Sequence, residues 1–234
     1  MNTREMQLDF KRKFNKSDSQ KNRNFLVPEI DLYLNESAEL IVKKIARPKV
    51  PGQLDFESSQ RTIDDIKSIV VPGVWTTVTN GIITLPSNYN YYVRGRVKIS
   101  KKNCIDQEAT LSIREHKDLF EGTAFYDSSF EWRDVNGLFN TNGIEVYTDG
   151  TFTVSSAKIS YIKKMRYFHN AQDYASGAGY IHPSLGPLTG TVSCELPEHM
   201  HREVVDIAVM LAASEIQTSD LQAKLAKLGY NQLF

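Results

Sequence analysis

The stretch LPEHMHREVVDIAVMLAASEI, residues 196 to 216, constrains this chain most, because a helix built from it is apolar on nearly every side. Pro197 suits an opening turn, having a fixed φ and no N–H to leave unpaired, and Glu198 beside it meets the positive end of the helix dipole. Val204, Val205, Ile207, Ala208, Val209, Met210, Leu211, Ala212 and Ala213 follow, with Asp206 as the sole interruption. A one-sided surface helix shows apolar residues only at i, i+3, i+4 and i+7, so this run needs neighbours on several sides. Its length of roughly 15 Å is about half a bilayer core, which excludes a membrane span and leaves a buried core helix or a subunit contact. Beyond it, Leu221, Leu225 and Leu228 form a narrow stripe, Gly229 reads as a helix C-cap, and Tyr230 and Phe234 end the chain.

The other end of the chain supplies candidate neighbours. Met6, Phe10 and Phe14 recur at i, i+4 and i+8 and line one face of a helix over roughly residues 3 to 16, with Thr3 as N-cap. KSDSQKNRN, residues 16 to 24, reads as a loop. Pro28 opens a second helix with Glu29 and Asp31 in its first turn and Ile30, Leu34, Ala38, Ile41, Val42 and Ile45 along one side, ending before Pro48. Ser59 precedes a third, short helix with Ile63, Ile66 and Val70 on a common face and Asp64 and Asp65 outward.

After residue 73 the period changes from helical to alternating. VWTTVTNGIITL places Asn80-Gly81 between two β-branched runs, the signature of a hairpin with a type I′ turn. Residues 91–100 and 108–115 alternate as half-buried strands, IEVYTDGTFTVS reads as a second hairpin turning at Asp149-Gly150, and KISYIKKMRYF adds a strand. Helices, then strands, then helices argue an α+β fold: a helical bundle formed by the N- and C-terminal helices with an inserted antiparallel β domain. The expected division is 1–72 for the first bundle helices, 73–192 for the β insert and 193–234 for the closing helices. ASGAGYIHPSLGPLTG, residues 175 to 190 within a loop at about 171–192, has no periodicity and is expected to be mobile or shaped by a partner.

Composition narrows the function. With 28 basic and 28 acidic residues, no net field attracts nucleic acid or anionic lipid. The one basic bias lies in residues 1–24, where Arg4, Lys11, Arg12, Lys13, Lys16, Lys21 and Arg23 stand against Glu5, Asp9 and Asp18. A polar N-terminus without an apolar core argues against a secretory signal and for a cytoplasmic site of synthesis. Cys104 and Cys194 form no C-x-x-C pair and read as small apolar residues.

No catalytic constellation emerges, and neither a metal nor a cofactor is expected. Cys194, His199 and His201 are the candidate metal cluster, but residues two apart on a helix point roughly 200° apart. There is no G-x-S-x-G elbow, and Cys104 has no nucleophile signature. Gly177-Ala178-Gly179 lacks the third glycine and the Gly-Lys-Ser/Thr of a phosphate loop. Asp64 and Asp65 are adjacent on a helix and cannot face one another across a glycoside. Tyr89, Tyr91 and Tyr92 cluster as if to stack on bases, without the interleaved Arg and Lys of an RNA-binding strand. A chain of 234 residues with these absences reads as a structural component whose apolar features point at partners.

Several segments in order resemble the head-to-tail adaptor, or portal-docking ring, proteins of tailed bacteriophages, particularly short-tailed and crAss-like phages. These are MNTREMQLDFKRKF, EIDLYLNESAELIVKKI, QRTIDDIKSIV, the strand entering ITLPSNYNYYV, the polar β region, KISYIKKMRYF and LPEHMHREVVDIAVMLAASEI. Residues 101–140 fit the pattern least. The resemblance implies a non-enzymatic virion protein of the neck or tail, assembled in the host bacterial cytoplasm as a ring of about twelve copies, a closed symmetric homo-oligomer. Its implied partners are other copies, the portal, the next neck or tail ring, and genomic DNA passing through the lumen without sequence-specific contact, with no membrane involved. It further implies portal docking by Leu221, Leu225, Leu228, Tyr230 and Phe234, and a bundle core or subunit interface at Met6, Phe10, Phe14, Leu34, Ile41, Val205, Val209 and Ala212. Neutral charge suits a channel wall along which DNA slides, since a basic lumen would grip phosphate. Two alternatives stand beside this reading: a stopper or tail-tube ring further from the portal, and an oligomeric glycan-binding β domain using Tyr89, Tyr91 and Tyr92.

Overall fold

The first helix starts one residue earlier than its Thr3 suggests. In the computed structural model, which describes residues 1–15, 25–46, 64–117 and 127–215, helix α1 spans Thr3–Asn15. Asn2 Oδ1 accepts the Glu5 N–H at 2.8 Å, and the Glu5 carboxylate accepts the Asn2 N–H at 3.0 Å. This reciprocal capping box satisfies donors that a helix start leaves unpaired, and it needs a carboxylate three residues after the cap, which Asn2 has and Thr3 lacks. Thr3 is buried and donates its hydroxyl to the Val192 carbonyl at 2.8 Å instead. Asn2→Ala is therefore expected to destabilise the helical part of the protein by about 1 kcal/mol in urea unfolding followed by far-UV circular dichroism.

Helix α2 spans Val27–Ala46 and α3 spans His201–Glu215. The α3 helix is preceded by one 3-10 turn, Glu198–Met200, whose last N–H bonds the Pro197 carbonyl at 2.9 Å. The α-helical part thus begins four residues after the proline expected to open it. Both α1 and α2 pack on α3, which explains why Val204, Val205, Ile207, Ala208, Val209, Met210, Ala212 and Ala213 are all buried. Asp206, the one interruption, receives Lys13 of α1 at 2.6 Å. Phe10 stacks on Phe14 and Tyr33, and Phe25 meets each of the three edge-on at 4.8–5.8 Å between centroids, the aromatic geometry that adds to simple area burial. Residues 64–66 are helical and pass into a 3-10 turn, Lys67–Ile69. Ile66 is buried, whereas Ser59 and Ile63 lie outside the described residues.

Two compact units are present: Met1–Ile69 with Met165–Phe234, and Val70–Lys164. The second is a sheet of β1 (Val70–Val71), β2 (Trp75–Thr77), β3 (Ile82–Ile83), β4 (Tyr89–Lys101), β5 (Cys104–Ile113), β6 (Asp134–Asn140), β7 (Gly143–Tyr147) and β8 (Thr153–Lys163). Val70 therefore leaves the helical face assigned to it, because it pairs with Ile162 on β8. The strand order is β1-β8-β4-β5-β6-β7-β3, with β2 also on β8. Contrary to a purely antiparallel insert, β5 and β6 run parallel, Thr110 opposite Asp134. The chain between them, residues 114–133, is long enough for the crossover that a parallel pair requires. Val97, Ile99, Leu111, Val135, Ile144, Phe152 and Ile159 form the core of this unit.

Both expected hairpins are corrected. Asn80 and Gly81 have φ of 53° and 74°, as a type I′ turn requires, and Thr79 and Ile82 exchange backbone bonds at 3.2 and 2.9 Å. Yet β2 pairs with β8 and β3 pairs with β7, which lie toward opposite ends of the strand order. The turn thus links the two ends of a curled sheet; Val78 N–H bonds the Ser155 carbonyl and the Gly81 carbonyl accepts the Val146 N–H. At Asp149-Gly150 the flanking strands do not pair with one another: β7 lies between β6 and β3, and β8 pairs with β4, β1 and β2. There Asp149 Oδ1 accepts the Thr151 N–H at 2.8 Å, a local side-chain turn. The two-residue reversals joining paired strands are Lys102-Asn103 between β4 and β5 and Thr141-Asn142 between β6 and β7.

The segment expected to be a mobile loop is built into the helical unit. Strand β9 (His169–Asn170) pairs with β12 (Thr191–Val192), and β10 (Tyr180–His182) with β11 (Gly186–Leu188). Tyr180 and Ala171 are buried with Val27 of α2, against Tyr174 and Leu188. Strands of two and three residues are too short to show alternation, so glycine and proline dominated the pattern. Residues 165–192 consequently belong with the helices, and the sheet unit ends at Lys164.

Candidate functional site

Met6, Phe10, Phe14, Leu34, Ile41, Val205, Val209 and Ala212 are all buried within the helical unit of a single chain. They fill its core and present no surface to another copy. Leu221, Leu225, Leu228, Tyr230 and Phe234 lie outside the described residues. His199 and His201 diverge: His199 Nε2 meets Asp65 Oδ1 at 2.9 Å, and His201 Nε2 meets the Leu196 carbonyl at 2.9 Å. Asp65 thereby has a partner where a solvent-facing charge was expected, and Asp64 pairs with Lys67 at 3.2 Å. Cys194 is half-buried, and burial pushes its thiol up to about 11. Cys104 is exposed at the β4–β5 turn, which corrects its reading as an apolar filler. Among the described residues no three His, Cys, Asp or Glu side chains converge as metal ligands.

Two of the three tyrosines of β4, Tyr89 and Tyr92, are engaged by the sheet, and Tyr91 is half-buried. Tyr89 packs on Phe139 and Tyr161, and Tyr92 donates to the Leu111 carbonyl at 3.0 Å, with burial pushing its hydroxyl up to about 12. Of the basic N-terminal residues, Arg4 pairs with Asp173, Arg12 with Asp9, and Lys13 with Asp9 and Asp206. Lys16, Lys21 and Arg23 lie outside the described residues.

Sequence reasoning missed the polar centre of the helical unit. Asp31, expected as an acid in the first turn of the second helix, is fully buried. Its carboxylate accepts from Gln7 Nε2, from Tyr180 Oη at 2.9 Å and from the Asn170 N–H at 3.3 Å. Gln7 Oε1 accepts from Asn170 Nδ2 at 3.1 Å, and Asn170 Oδ1 accepts from Thr191 at 2.8 Å. One network thus ties α1 and α2 to β9, β10 and β12. Burial pushes Asp31 up to about 6 and raises the Tyr180 hydroxyl, which the Asp31 charge raises further. Burial likewise lowers His169, whose Nδ1 is enclosed without a hydrogen-bond partner. The available signal was helical phase: Asp31 stands three and seven residues before Leu34 and Ala38, on the buried stripe. Gln7, Asp31, Asn170 and Tyr180 are buried and only Thr191 reaches the surface, so the network ties these elements together.

Among the described residues, two recesses open to the surface. A shallow recess of about 460 Å³ is bordered by Asn2, Glu5, Ser193, Leu196, Glu198 and His201, and another of about 310 Å³ by Ser100, Lys101, Lys102, Thr151 and Thr153. Large apolar side chains stand exposed on α1 and α2 (Leu8, Leu32, Leu40), on the β10–β11 hairpin (Ile181, Leu185) and on the sheet unit (Ile105, Trp132). Among the described residues no helix is long and apolar enough to cross a membrane. Compared with known protein families and with curated proteins, the chain matches none.

Proposed function

We propose that this protein is a head-to-tail adaptor of a tailed bacteriophage: a non-enzymatic ring in the virion neck that docks on the portal and extends the DNA channel toward the tail. The supporting observation is the sharing of one core by the first and last helices around an insert of strands, in the segment order that the adaptor resemblance requires. In this reading α1, α2 and α3 are the helical bundle of the ring wall and Val70–Lys164 is the inserted β domain. Copies of the chain, the portal and the next ring are its partners, and DNA passes without base contacts through a wall of balanced charge. Leu221, Leu225, Leu228, Tyr230 and Phe234 form the portal anchor, with the two aromatics as pocket-filling groups.

Mixing the purified chain with purified portal and weighing the products tests the reading. A chain cut after Gly229 should keep the melting temperature of the full chain and lose portal binding at least tenfold, about 1.4 kcal/mol or more. Full portal binding by the cut chain would remove its last residues from the contact. A full chain that neither self-associates nor binds portal would overturn the adaptor assignment, and crosslinks to another ring component with none to portal would move the protein to a stopper position.

A further inference from the structure

The faces that α1 and α2 turn away from α3 carry opposite charge around exposed leucines, and we infer that they are the two halves of a head-to-tail contact between copies of this chain. The inference rests on the ring reading above and names the surface by which the ring would close. On α1, Arg4, Leu8, Lys11 and Arg12 are exposed at i, i+4, i+7 and i+8, one continuous stripe. On α2, Leu32, Glu36, Glu39 and Leu40 are exposed at the same spacing. Leu8 is 59% exposed and Leu32 52%, although the opposite faces of both helices are fully enclosed.

Three cations surround the leucine of the first stripe, and two carboxylates lie between the leucines of the second. Arg4 and Arg12 also pair within the chain, with Asp173 and Asp9, but their side chains are 67% and 71% exposed, and such solvated pairs exchange at little cost. The other acid on the α1 face, Glu5, is committed to the Asn2 cap. Lys43 and Lys44 lie a turn beyond Glu39 and leave the acidic part of the α2 stripe intact.

The sign pattern decides the symmetry. Packing the α1 face on its own copy sets cation against cation, and packing the centre of the α2 face on its own copy sets Glu36 and Glu39 against one another unless the helices slide until Lys43 and Lys44 meet them, which uncovers Leu32. Setting α1 against α2 of the next copy brings Lys11 and Arg12 to Glu36 and Glu39 while covering Leu8 and Leu32 together. A contact between two different faces is heterologous and propagates until it closes as a ring. One helix pair buries less than the about 1,200 Å² of a small stable interface, so assembly through it depends on concentration and weakens with salt.

Two charge-reversed chains test the contact, Lys11→Glu with Arg12→Glu and, separately, Glu36→Lys with Glu39→Lys. In sedimentation over a concentration series, each alone is expected to self-associate at least tenfold more weakly than the wild type. An equimolar mixture is expected to return to within about threefold, because each variant restores the complement of the other. Undiminished association of both variants would overturn the contact and leave the ring reading standing. Loss in both without recovery in the mixture would show that the two faces do not meet. A drop of several degrees in the melting temperature of either variant would show that these faces are covered within the chain itself, which also overturns the contact. A wild-type chain that stays monomeric alone and with portal would remove both the contact and the ring.

Discussion

Asp31→Ala is expected to destabilise the helical unit by about 3 kcal/mol at pH 7.5 in urea unfolding. The substitution leaves Gln7 Nε2, Tyr180 Oη and the Asn170 N–H without the acceptor they share. Each buried donor so orphaned costs about 1–3 kcal/mol. The loss is offset in part because a buried carboxylate with no cation against it is itself unfavourable when ionised. The pH dependence separates the two effects. Burial raises Asp31 in the folded protein to about 6, above the value of about 3.9 for an unfolded chain. Between these values the folded state binds more protons than the unfolded one, so the protonated carboxyl stabilises the fold at low pH. That contribution is complete below the unfolded value and is lost as pH rises through about 6. The alanine penalty is therefore expected to be larger at pH 5 than at pH 7.5 by on the order of 1 kcal/mol. Comparing the variant with the wild type at each pH removes the opposing contribution of Asp9, whose carboxyl Lys13 and Arg12 hold below the usual range despite partial burial. A penalty that grows with pH would show that ionised Asp31 is favoured by its surroundings, contrary to its burial.

The same residue shows where a sequence stops being legible. The helices were readable because Met6, Phe10 and Phe14, and Ile30, Leu34 and Ala38, repeat at the helical period and are buried accordingly. The all-round apolar surface of α3 correctly implied neighbours on several sides, which α1 and α2 provide. Asp31 stood in the first turn of its helix as expected, but its burial followed from helical phase, which sets it on the stripe of Leu34 and Ala38. Asn80-Gly81 identified its own backbone geometry, since both residues take positive φ. Which strands that turn would serve was a non-local matter, settled by the ladders on β8 and β7. Lys102-Asn103 carries only a weak turn signal, whereas Asn142-Gly143 is an Asn-Gly pair whose reversal falls one residue earlier, at Thr141-Asn142. For the functional surface, the charged stripes on α1 and α2 were present in the sequence. Their meaning emerges only once the inner faces are known to be filled, which leaves Leu8, Leu32 and Leu40 without a place in the chain's own core.

Gly143→Ala is expected to cost the sheet unit about 4 kcal/mol or more. Gly143 has φ of 140°, a conformation L side chains rarely adopt, and a Cβ there would lie 2.1 Å from the Ile83 carbonyl oxygen and 3.1 Å from its carbonyl carbon. Strained backbone of this kind costs on the order of 1–3 kcal/mol before any collision is counted. The collision is with backbone, so no side chain can rotate out of the way, and relief requires β3 to move off β7, where Ile83 faces Ile144. Displacing β3 also pulls on the Asn80-Gly81 turn, through which β3 continues into the chain held on β8 by β2. The damage should therefore spread across the curled sheet. Gly150→Ala supplies the comparison: φ is positive there too, at 78°, but no atom lies within 4 Å of the added Cβ, and about 1 kcal/mol of backbone strain is the whole expected cost. Both tryptophans, Trp75 and Trp132, belong to the sheet unit, so their fluorescence in urea reports this unit apart from the helices. A Gly143→Ala midpoint that coincides with that of Gly150→Ala would show that the close approach of β3 to β7 does not hold the sheet together.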